Sequence, residues 1–230
     1  MISLNTISTN RATARFLLRS RDMETINSIQ LKRIFAEIAR VLNENKDLLT
    51  ELDSVMGDGD LGLYVPKGFK CAAEALTDDM LPGQMFMKAS SVVNSEAPST
   101  LGTLLSFALL AAGKTAGSDS ELSGDKIVEI GQSAIDMIMK RGKAQPGEKT
   151  ILDVFIPAHE ELKGALAKNP DLRVAFEAAL NQAKAGFDRS TEMQAVHGRP
   201  GYYGEASIGK QDGGAMVGYL IYQGILQAFL

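Results

Sequence analysis

Three aspartates, Asp53, Asp58 and Asp60, lie beside three glycines in one short stretch of the chain, with no cation among them. Like charges this close repel each other unless something positive sits between them. Carboxylate oxygens, completed by water and substrate phosphates, are the ligands that Mg²⁺ prefers. Because Asp and Gly are also common turn residues, the spacing alone leaves two interpretations open: a divalent-cation site and a solvated turn between helices.

The common phosphate and metal motifs do not account for the stretch. Gly113-Lys114-Thr115 is similar to the end of a P-loop, but Ala108 stands where the motif needs a glycine. An EF-hand needs a glutamate at its twelfth position, which holds an aromatic residue whether the count starts at Asp53 or at Asp58. His159 and His197 are the only histidines, too few for a zincin or a zinc finger. His159 falls in a helical segment and is interpreted as a structural or surface residue.

Two later segments carry groups that suit an anionic ligand. Residues 141–153 (RGKAQPGEKTILD) join three cations to a Pro-Gly turn before a predicted helix start, and a helix N-terminus offers free N–H groups to an anion. Residues 197–214 contain six glycines together with Arg199, Lys210 and Asp212, and glycine permits close backbone approach to a ligand. Each segment alone is typical of a surface loop. With the acidic loop at the same helix ends, they predict a Mg-nucleotide pocket.

The elements that must position these groups are helical. Apolar residues recur at spacings of three and four between residues 29 and 42 and between 127 and 138, which predicts amphipathic helices. Further helices are predicted near residues 66–76, 83–93, 100–117, 150–168, 171–190 and 213–229. Asp53 is predicted to end a helix, Asp125 and Asp171 to begin helices, and Gly142 to end one. No convincing strand, repeat or long linker occurs, so the pattern predicts a single antiparallel bundle of seven or eight helices.

The composition of the chain limits the ligand classes and the cellular compartment that can be expected for this bundle. The chain has 230 residues, 45% of them hydrophobic, and a net charge of -4, which argues against a general nucleic-acid binder. The single cysteine, Cys71, excludes an internal disulfide, and no apolar run approaches the ~20 residues of a membrane span. A cytoplasmic protein is therefore expected. Residues 1–22, rich in arginine, are predicted to form an arm or an extra helix, and residues 23–230 the domain.

Three of these stretches give the chain a resemblance to a known family. LDSVMGDGDLG, RGKAQPGEKTILDVFIPA and GRPGYYGEASIGKQDGGA occur in the order seen in the ADP-binding L subunit of dihydroxyacetone kinases, and the likeness extends over about residues 25–230. The resemblance implies an all-α, single-domain barrel of eight antiparallel helices, with a site for Mg²⁺ and ADP or ATP at one end. It implies Asp53, Asp58 and Asp60 as metal ligands, nucleotide contacts from Arg199, Gln211, Asp212 and Gly213, and Gly142 and Ile151 near the adenine.

The chain departs from the family pattern at several positions. Leu61 replaces the histidine after the last aspartate, Tyr64 an asparagine, and Lys210 a second histidine. The glycine-rich phosphate loop is replaced by NSEAPST, residues 94–100, where Glu96 is expected to add an unfavourable charge. The hydroxyl groups of this loop are the remaining candidates for hydrogen-bond donors to the phosphates: Ser95, Ser99 and Thr100.

The resemblance also implies partners. In multi-subunit bacterial members the nucleotide stays bound, is rephosphorylated by a phosphotransferase-system protein, and passes its phosphoryl group to a small keto sugar held by a K subunit. Other members use exchangeable ATP. No catalytic residue is assigned, a homodimer stays open, and the chain is expected to be inactive without its partner. The alternatives are a non-catalytic homologue that senses nucleotide or acts as a scaffold, and a purely structural bundle.

Overall fold

Helix α1 (Ser28–Glu44) carries the first predicted apolar stripe. The side-chain oxygen of Asn27 accepts a hydrogen bond from the Gln30 N–H, and the Gln30 side chain accepts one from the Asn27 N–H. This reciprocal cap satisfies two N–H groups that would otherwise lack partners, and it fixes the start of the helix. The buried face of α1 consists of Leu31, Ile34, Phe35, Ile38, Ala39, Val41 and Leu42.

The computed structural model describes residues 24–230, so the predicted arm at residues 1–22 lies outside the described residues. After α1, the helices in the described part are α2 (Lys46–Met56), α3 (Leu61–Ala75), α4 (Pro82–Glu96), α5 (Thr100–Ala116), α6 (Gly124–Gly142), α7 (Leu152–Leu166), α8 (Leu172–Arg189) and α9 (Gly213–Gln227). Two 3₁₀ segments, Ser190–Glu192 and Pro200–Ser207, lie between α8 and α9. No helix within residues 24–230 is both long and apolar enough to cross a membrane.

Eight of these helices close into a ring. Helix α1 packs on α3, each helix from α3 onward packs on the next, and α9 packs back on α1. Closure depends on Gly224 of α9, because a Cβ atom at this position would lie 2.5 Å from the Cα atom of Ile38. The all-α, single-domain, eight-helix prediction is thereby confirmed. The short helix α2 is additional to the ring and packs against α3 and α9.

Several predicted boundaries differ from the observed ones. Helix α2 continues past Asp53 to Met56, and α3 begins at Leu61 rather than near residue 66. Helix α6 is capped by Ser123, so Asp125 lies in its first turn. The predicted end at Gly142 and the predicted start at Asp171 are confirmed.

Two three-residue strands, β1 (Thr25–Asn27) and β2 (Glu121–Ser123), were not predicted. They pair antiparallel, with Ile26 opposite Leu122, and both of these side chains are buried. Three residues are too few for the period-2 alternation that identifies a strand in a sequence.

His159 lies inside the barrel rather than at the surface. It is 2% exposed, and it lines an interior cavity of about 200 Å³ whose other walls are almost entirely apolar. Neither ring nitrogen has a hydrogen-bond partner within the described residues. Gly131 makes room for the ring, because a Cβ atom there would lie 2.6 Å from His159 Nδ1. Burial lowers the pKa of His159, so the imidazole is neutral at pH 7.

Replacing His159 with leucine is expected to raise the free energy of unfolding by about 1–3 kcal/mol at pH 7, because it removes two buried polar groups without partners. The gain should grow between pH 7 and pH 5. In the unfolded state His159 has a pKa of about 6.5 and binds a proton between pH 7 and pH 5, whereas in the folded state its lowered pKa keeps it neutral over more of this range. The free energy of unfolding of the wild type therefore falls as the pH is lowered. Urea unfolding at both pH values measures this. A variant less stable than wild type at both would contradict it.

Candidate functional site

The N-termini of four helices, α3, α5, α7 and α9, meet at one end of the barrel. In an antiparallel ring alternate helices point the same way, so these four starts share one end with the C-termini of α4 and α6. The residues at all of these ends line a single cleft of about 1130 Å³. Helix N-termini carry partial positive charge and free N–H groups. This end of the barrel is therefore suited to an anion.

The acidic loop between α2 and α3 brings its three aspartates together. Each of Asp53, Asp58 and Asp60 offers one carboxylate oxygen, and the three oxygens lie within 4.8 Å of one another. Asp53 stands on the last turn of α2 and accepts a hydrogen bond of 3.3 Å from the Leu61 N–H at the start of α3. Gly59, at φ +74°, supplies the left-handed turn between the other two aspartates. The convergence that the sequence predicted is present.

The electrostatics of this loop favour a cation. Burial raises the pKa of Asp60 above its usual value, and the neighbouring Asp58 and Asp53 carboxylates raise it further, whereas Arg199 lowers it. Arg199 forms an ion pair of 2.6 Å with Asp58. The exposed Arg199 is the cation paired with this cluster of three carboxylates. Three carboxylate oxygens fit the oxygen-only ligation of Mg²⁺. Asp53, Asp58 and Asp60 are the residues that would hold it.

Part of the cleft lining is apolar. Gly142 and Ile151, which the family resemblance implies near an adenine, both line the cleft, together with Phe107. The guanidinium of Arg141 stacks on the Phe107 ring, 4.4 Å from its centre. A flat heterocycle is the kind of group that such a wall can cover. The other apolar residues of the cleft lining are Leu52, Met56, Leu61, Pro98, Leu101, Leu104, Ile138, Ala144 and Pro200.

The 94–100 stretch, which was predicted as a loop, ends helix α4 with its first three residues, and only some of its residues face the cleft. Ser99 and Thr100 line the cleft, and the Ser99 hydroxyl caps α5 by accepting a hydrogen bond of 3.0 Å from the Gly102 N–H. Ser95 is exposed on α4 and does not line the cleft. Glu96 also lies outside the lining, where it forms an ion pair of 3.0 Å with Lys67. The unfavourable charge expected from Glu96 is thus directed away from the site.

The glycine-rich segment, residues 193–212, connects α8 to α9 and contributes residues to the lining of the cleft. Its last residue, Asp212, is 6% exposed and caps α9 by accepting a hydrogen bond of 2.6 Å from the Ala215 N–H. Burial raises the pKa of Asp212 to about 6. Asp212 and Gly213 line the cleft, whereas Gln211 is exposed and does not.

The positions that depart from the family pattern have structural roles. Leu61 is buried, and its Cδ2 atom would lie 2.7 Å from a Cβ atom at Gly213, so α3 and α9 start in direct contact. Tyr64 packs against the core. The Lys210 ammonium lies 5.1 Å from the centre of the Tyr203 ring. Neither Tyr64 nor Lys210 lines the cleft.

The sequence interpretation missed the face of α5 that lines the site. Thr103, Leu104 and Phe107 all face the cleft. Residues three, four and seven positions after Thr100 share its side of a helix, so this spacing was the available signal. Lys149 was expected to face an anion, but its ammonium donates to backbone carbonyls of the glycine-rich segment.

Comparison with known proteins agrees with this geometry. The DAK2 domain matches residues 55–227. The chain is 30% identical over 193 residues to the PEP-dependent dihydroxyacetone kinase, ADP-binding subunit DhaL, of Escherichia coli K12, covering 83% of this chain and 92% of the relative. It is 30% identical over 187 residues to D-erythrulose kinase of Mycolicibacterium smegmatis, covering 80% of this chain but only 32% of that kinase.

A solved structure shares the fold. The dihydroxyacetone kinase of C. freundii aligns with 90% of this chain and 36% of its own, with a TM-score of 0.68 and 22% sequence identity. The same kinase has been solved in complex with AMP-PNP and Mg²⁺. At this identity the likeness establishes the helical barrel alone.

Proposed function

Because the chain belongs to the DAK2-domain family, we propose that it is the nucleotide-binding subunit of a kinase that phosphorylates a small keto sugar. The observation that carries the proposal is the meeting of three carboxylates and four helix N-termini around one cleft. Helix N-termini suit phosphates, carboxylates suit Mg²⁺, and phosphoryl transfer relies on such positioning and charge neutralisation rather than on covalent chemistry.

Each part of a Mg-nucleotide has a matching part of the cleft. Asp53, Asp58 and Asp60 would hold Mg²⁺, which would supply neutralisation of the phosphate charge. The starts of α5 and α9 would bind phosphates, with hydroxyls from Ser99 and Thr100. The base would lie at the apolar wall formed by Gly142, Ile151 and Phe107. Ser95 and Gln211, both outside the lining, would have to act through a change of conformation or a partner.

The sugar and its carrier are proposed from the relatives. The similar proteins act, by name, on dihydroxyacetone and erythrulose, so a three- or four-carbon ketose is the substrate class. The chain matches nearly the whole of the E. coli subunit but a third of the erythrulose kinase. By analogy with the E. coli relative, which is by name an ADP-binding subunit, a K-type partner subunit would hold the sugar, and this chain without it should not turn the sugar over. The phosphoryl donor would be a phosphotransferase-system protein or free ATP, and either route would take place in the cytoplasm.

A second candidate is a nucleotide-sensing homologue without catalysis. Leu61 favours this second candidate. Its apolar side chain replaces the histidine of the family pattern, which could form a hydrogen bond beside the three aspartates. The orientation of Glu96 argues against this candidate. Glu96 pairs with Lys67 outside the cleft, so its charge does not block the start of α5, which Ser99 caps. Phosphoryl transfer from loaded nucleotide to a ketose, measured with a K-type subunit present, separates the two.

The first test is the nucleotide content of the purified protein. We expect stoichiometric ADP or ATP after denaturation, quantified by mass spectrometry, and its loss after EDTA treatment, because without a cation the carboxylates and the phosphates would repel each other. Protein incubated with EDTA and excess Mg²⁺ is the control. An empty protein that also fails to bind added Mg-ATP would contradict the proposal.

A further inference from the structure

Lys149 is buried at the edge of the cleft, at 3% exposure, although Gln145 and Gly147 of the same loop are exposed. A lysine is almost never fully buried unless its charge is compensated. Its ammonium forms no direct ion pair with a carboxylate of residues 24–230, and the buried Asp212 carboxylate favours its charge only from a longer distance. The hydrogen bonds that compensate it therefore come from other groups.

Three backbone carbonyls accept these hydrogen bonds. Lys149 Nζ donates hydrogen bonds to the carbonyl oxygens of Ser207 at 2.8 Å, Lys210 at 2.5 Å and Met193 at 3.2 Å. An ammonium has three donors and no acceptor, so these bonds use its whole capacity. All three acceptors belong to the glycine-rich segment, at its beginning and near its end. One side chain thus ties both ends of the segment to the 145–150 loop.

The backbone of Lys149 is in an unusual conformation. Its φ is +60°, in the left-handed region that side-chain-bearing residues rarely adopt. Such residues persist when the surrounding structure determines them, and they concentrate at functional sites. Here the left-handed turn directs the side chain inward, toward the carbonyls.

The neighbouring contacts place the segment over the acidic loop. The Glu148 carbonyl accepts a hydrogen bond of 3.4 Å from the Val196 N–H, and the Glu148 carboxylate contacts His197 Nε2 at 2.5 Å. Two residues further along, Arg199 reaches Asp58. The 145–150 loop therefore determines where the segment presents Arg199.

We propose that Lys149 is the positioning residue of the glycine-rich segment, acting as an internal monovalent cation around which three carbonyls of the segment close. This role rests on the proposed function only where it concerns nucleotide: a closed segment holds Arg199 at the metal end of the cleft and slows nucleotide release. Without the ammonium, three carbonyls face a buried space with no donor, and the segment opens to recover hydrogen bonds from water.

The test compares Lys149→Met with Lys143→Met. Lys143 belongs to the same connection and also has a positive φ, +56°, but it is exposed and outside the cleft. In nucleotide-free protein we expect amide hydrogen exchange across residues 193–212 to accelerate about tenfold or more in Lys149→Met, and to stay at the wild-type rate in Lys143→Met. Exchange in α1 and α4 should not change. Dissociation of Mg-ADP should accelerate about tenfold as well.

Rescue separates a cation role from simple packing. Lys149→Arg should retain slow exchange, and n-propylammonium should slow the exchange of Lys149→Ala, with tetramethylammonium at matched ionic strength as the control. Unchanged exchange in Lys149→Met, loss of protection throughout the barrel, or failure of n-propylammonium to rescue would overturn the proposal. A wild type that binds no Mg-ADP would refute the proposed function and leave the exchange measurement as the test of Lys149.

Discussion

Asp58→Ala is expected to lower the affinity for Mg-ADP about 100-fold or more. Loss of one carboxylate would weaken the binding of a cation that neutralises the phosphates, and about 2.8 kcal/mol of lost binding free energy corresponds to that factor. The variant also releases Arg199 from its 2.6 Å ion pair, so one of the groups that organise the cleft loses its partner. Calorimetric titration of stripped protein measures the effect.

A comparison with and without metal identifies its cause. Wild type in EDTA should bind ADP as weakly as Asp58→Ala does in Mg²⁺, and EDTA should change the variant little further. Glu51→Gln is the matched control, because Glu51 is an exposed acid on the same helix, α2, and does not line the cleft. Unaltered Mg-ADP affinity in Asp58→Ala would remove Asp58 from the metal site.

Asp60→Asn extends this prediction to stability, with the opposite sign. The Asp60 carboxylate is destabilised by burial and by its two acidic neighbours, which is why its pKa is raised. Removing its charge should therefore raise the thermal midpoint of metal-free protein while abolishing the further rise that Mg-ADP gives to wild type. Groups placed for a ligand commonly cost stability in this way.

Gly62→Ala is expected to lower the free energy of unfolding by about 3 kcal/mol, at the upper end of the cost of overpacking. Gly62 lies in the first turn of α3, where it packs directly on α2. A Cβ atom there would collide with the Lys46 carbonyl oxygen and lie 2.9 Å from the Thr50 backbone nitrogen. Backbone atoms cannot rotate aside as a side chain can, so α3 would have to move away from α2.

Thermal unfolding tests this, with a fall of about 6–12 °C for a chain of this size. Gly164→Ala is the control: Gly164 lies in α7 with no atom within 4 Å of its would-be Cβ. Alanine there should raise stability by about 0.5–1 kcal/mol, because alanine favours helices more than glycine does. Mg-ADP affinity should fall in Gly62→Ala alone, since Asp53 and Asp60 stand on the two displaced elements. Equal stability of the two variants would contradict the assigned contact.

The helices and their antiparallel bundle were predictable because amphipathic periodicity is a local property. Each apolar stripe recurs at helical spacing within one segment, and short connections favour antiparallel neighbours. The closure of eight helices into a ring was implied by the family resemblance. The acidic loop was predictable for a related reason. Asp53, Asp58 and Asp60 are near neighbours along the chain, so the glycines between them are enough to bring their oxygens together.

The other parts of the site depend on contacts between residues far apart in sequence. Nothing local shows that Glu96 turns away to Lys67, that Leu61 packs against Gly213, or that Arg199 reaches Asp58. Lys149 illustrates the limit best. Its sequence neighbours suggest an anion-binding cation, whereas closure of the barrel presents three carbonyls of a distant segment to its ammonium. The sequence by itself therefore determined the helices and the convergence of the three carboxylates, and the tertiary structure decided which charges face the cleft, because that depends on which distant backbone groups need a partner once buried.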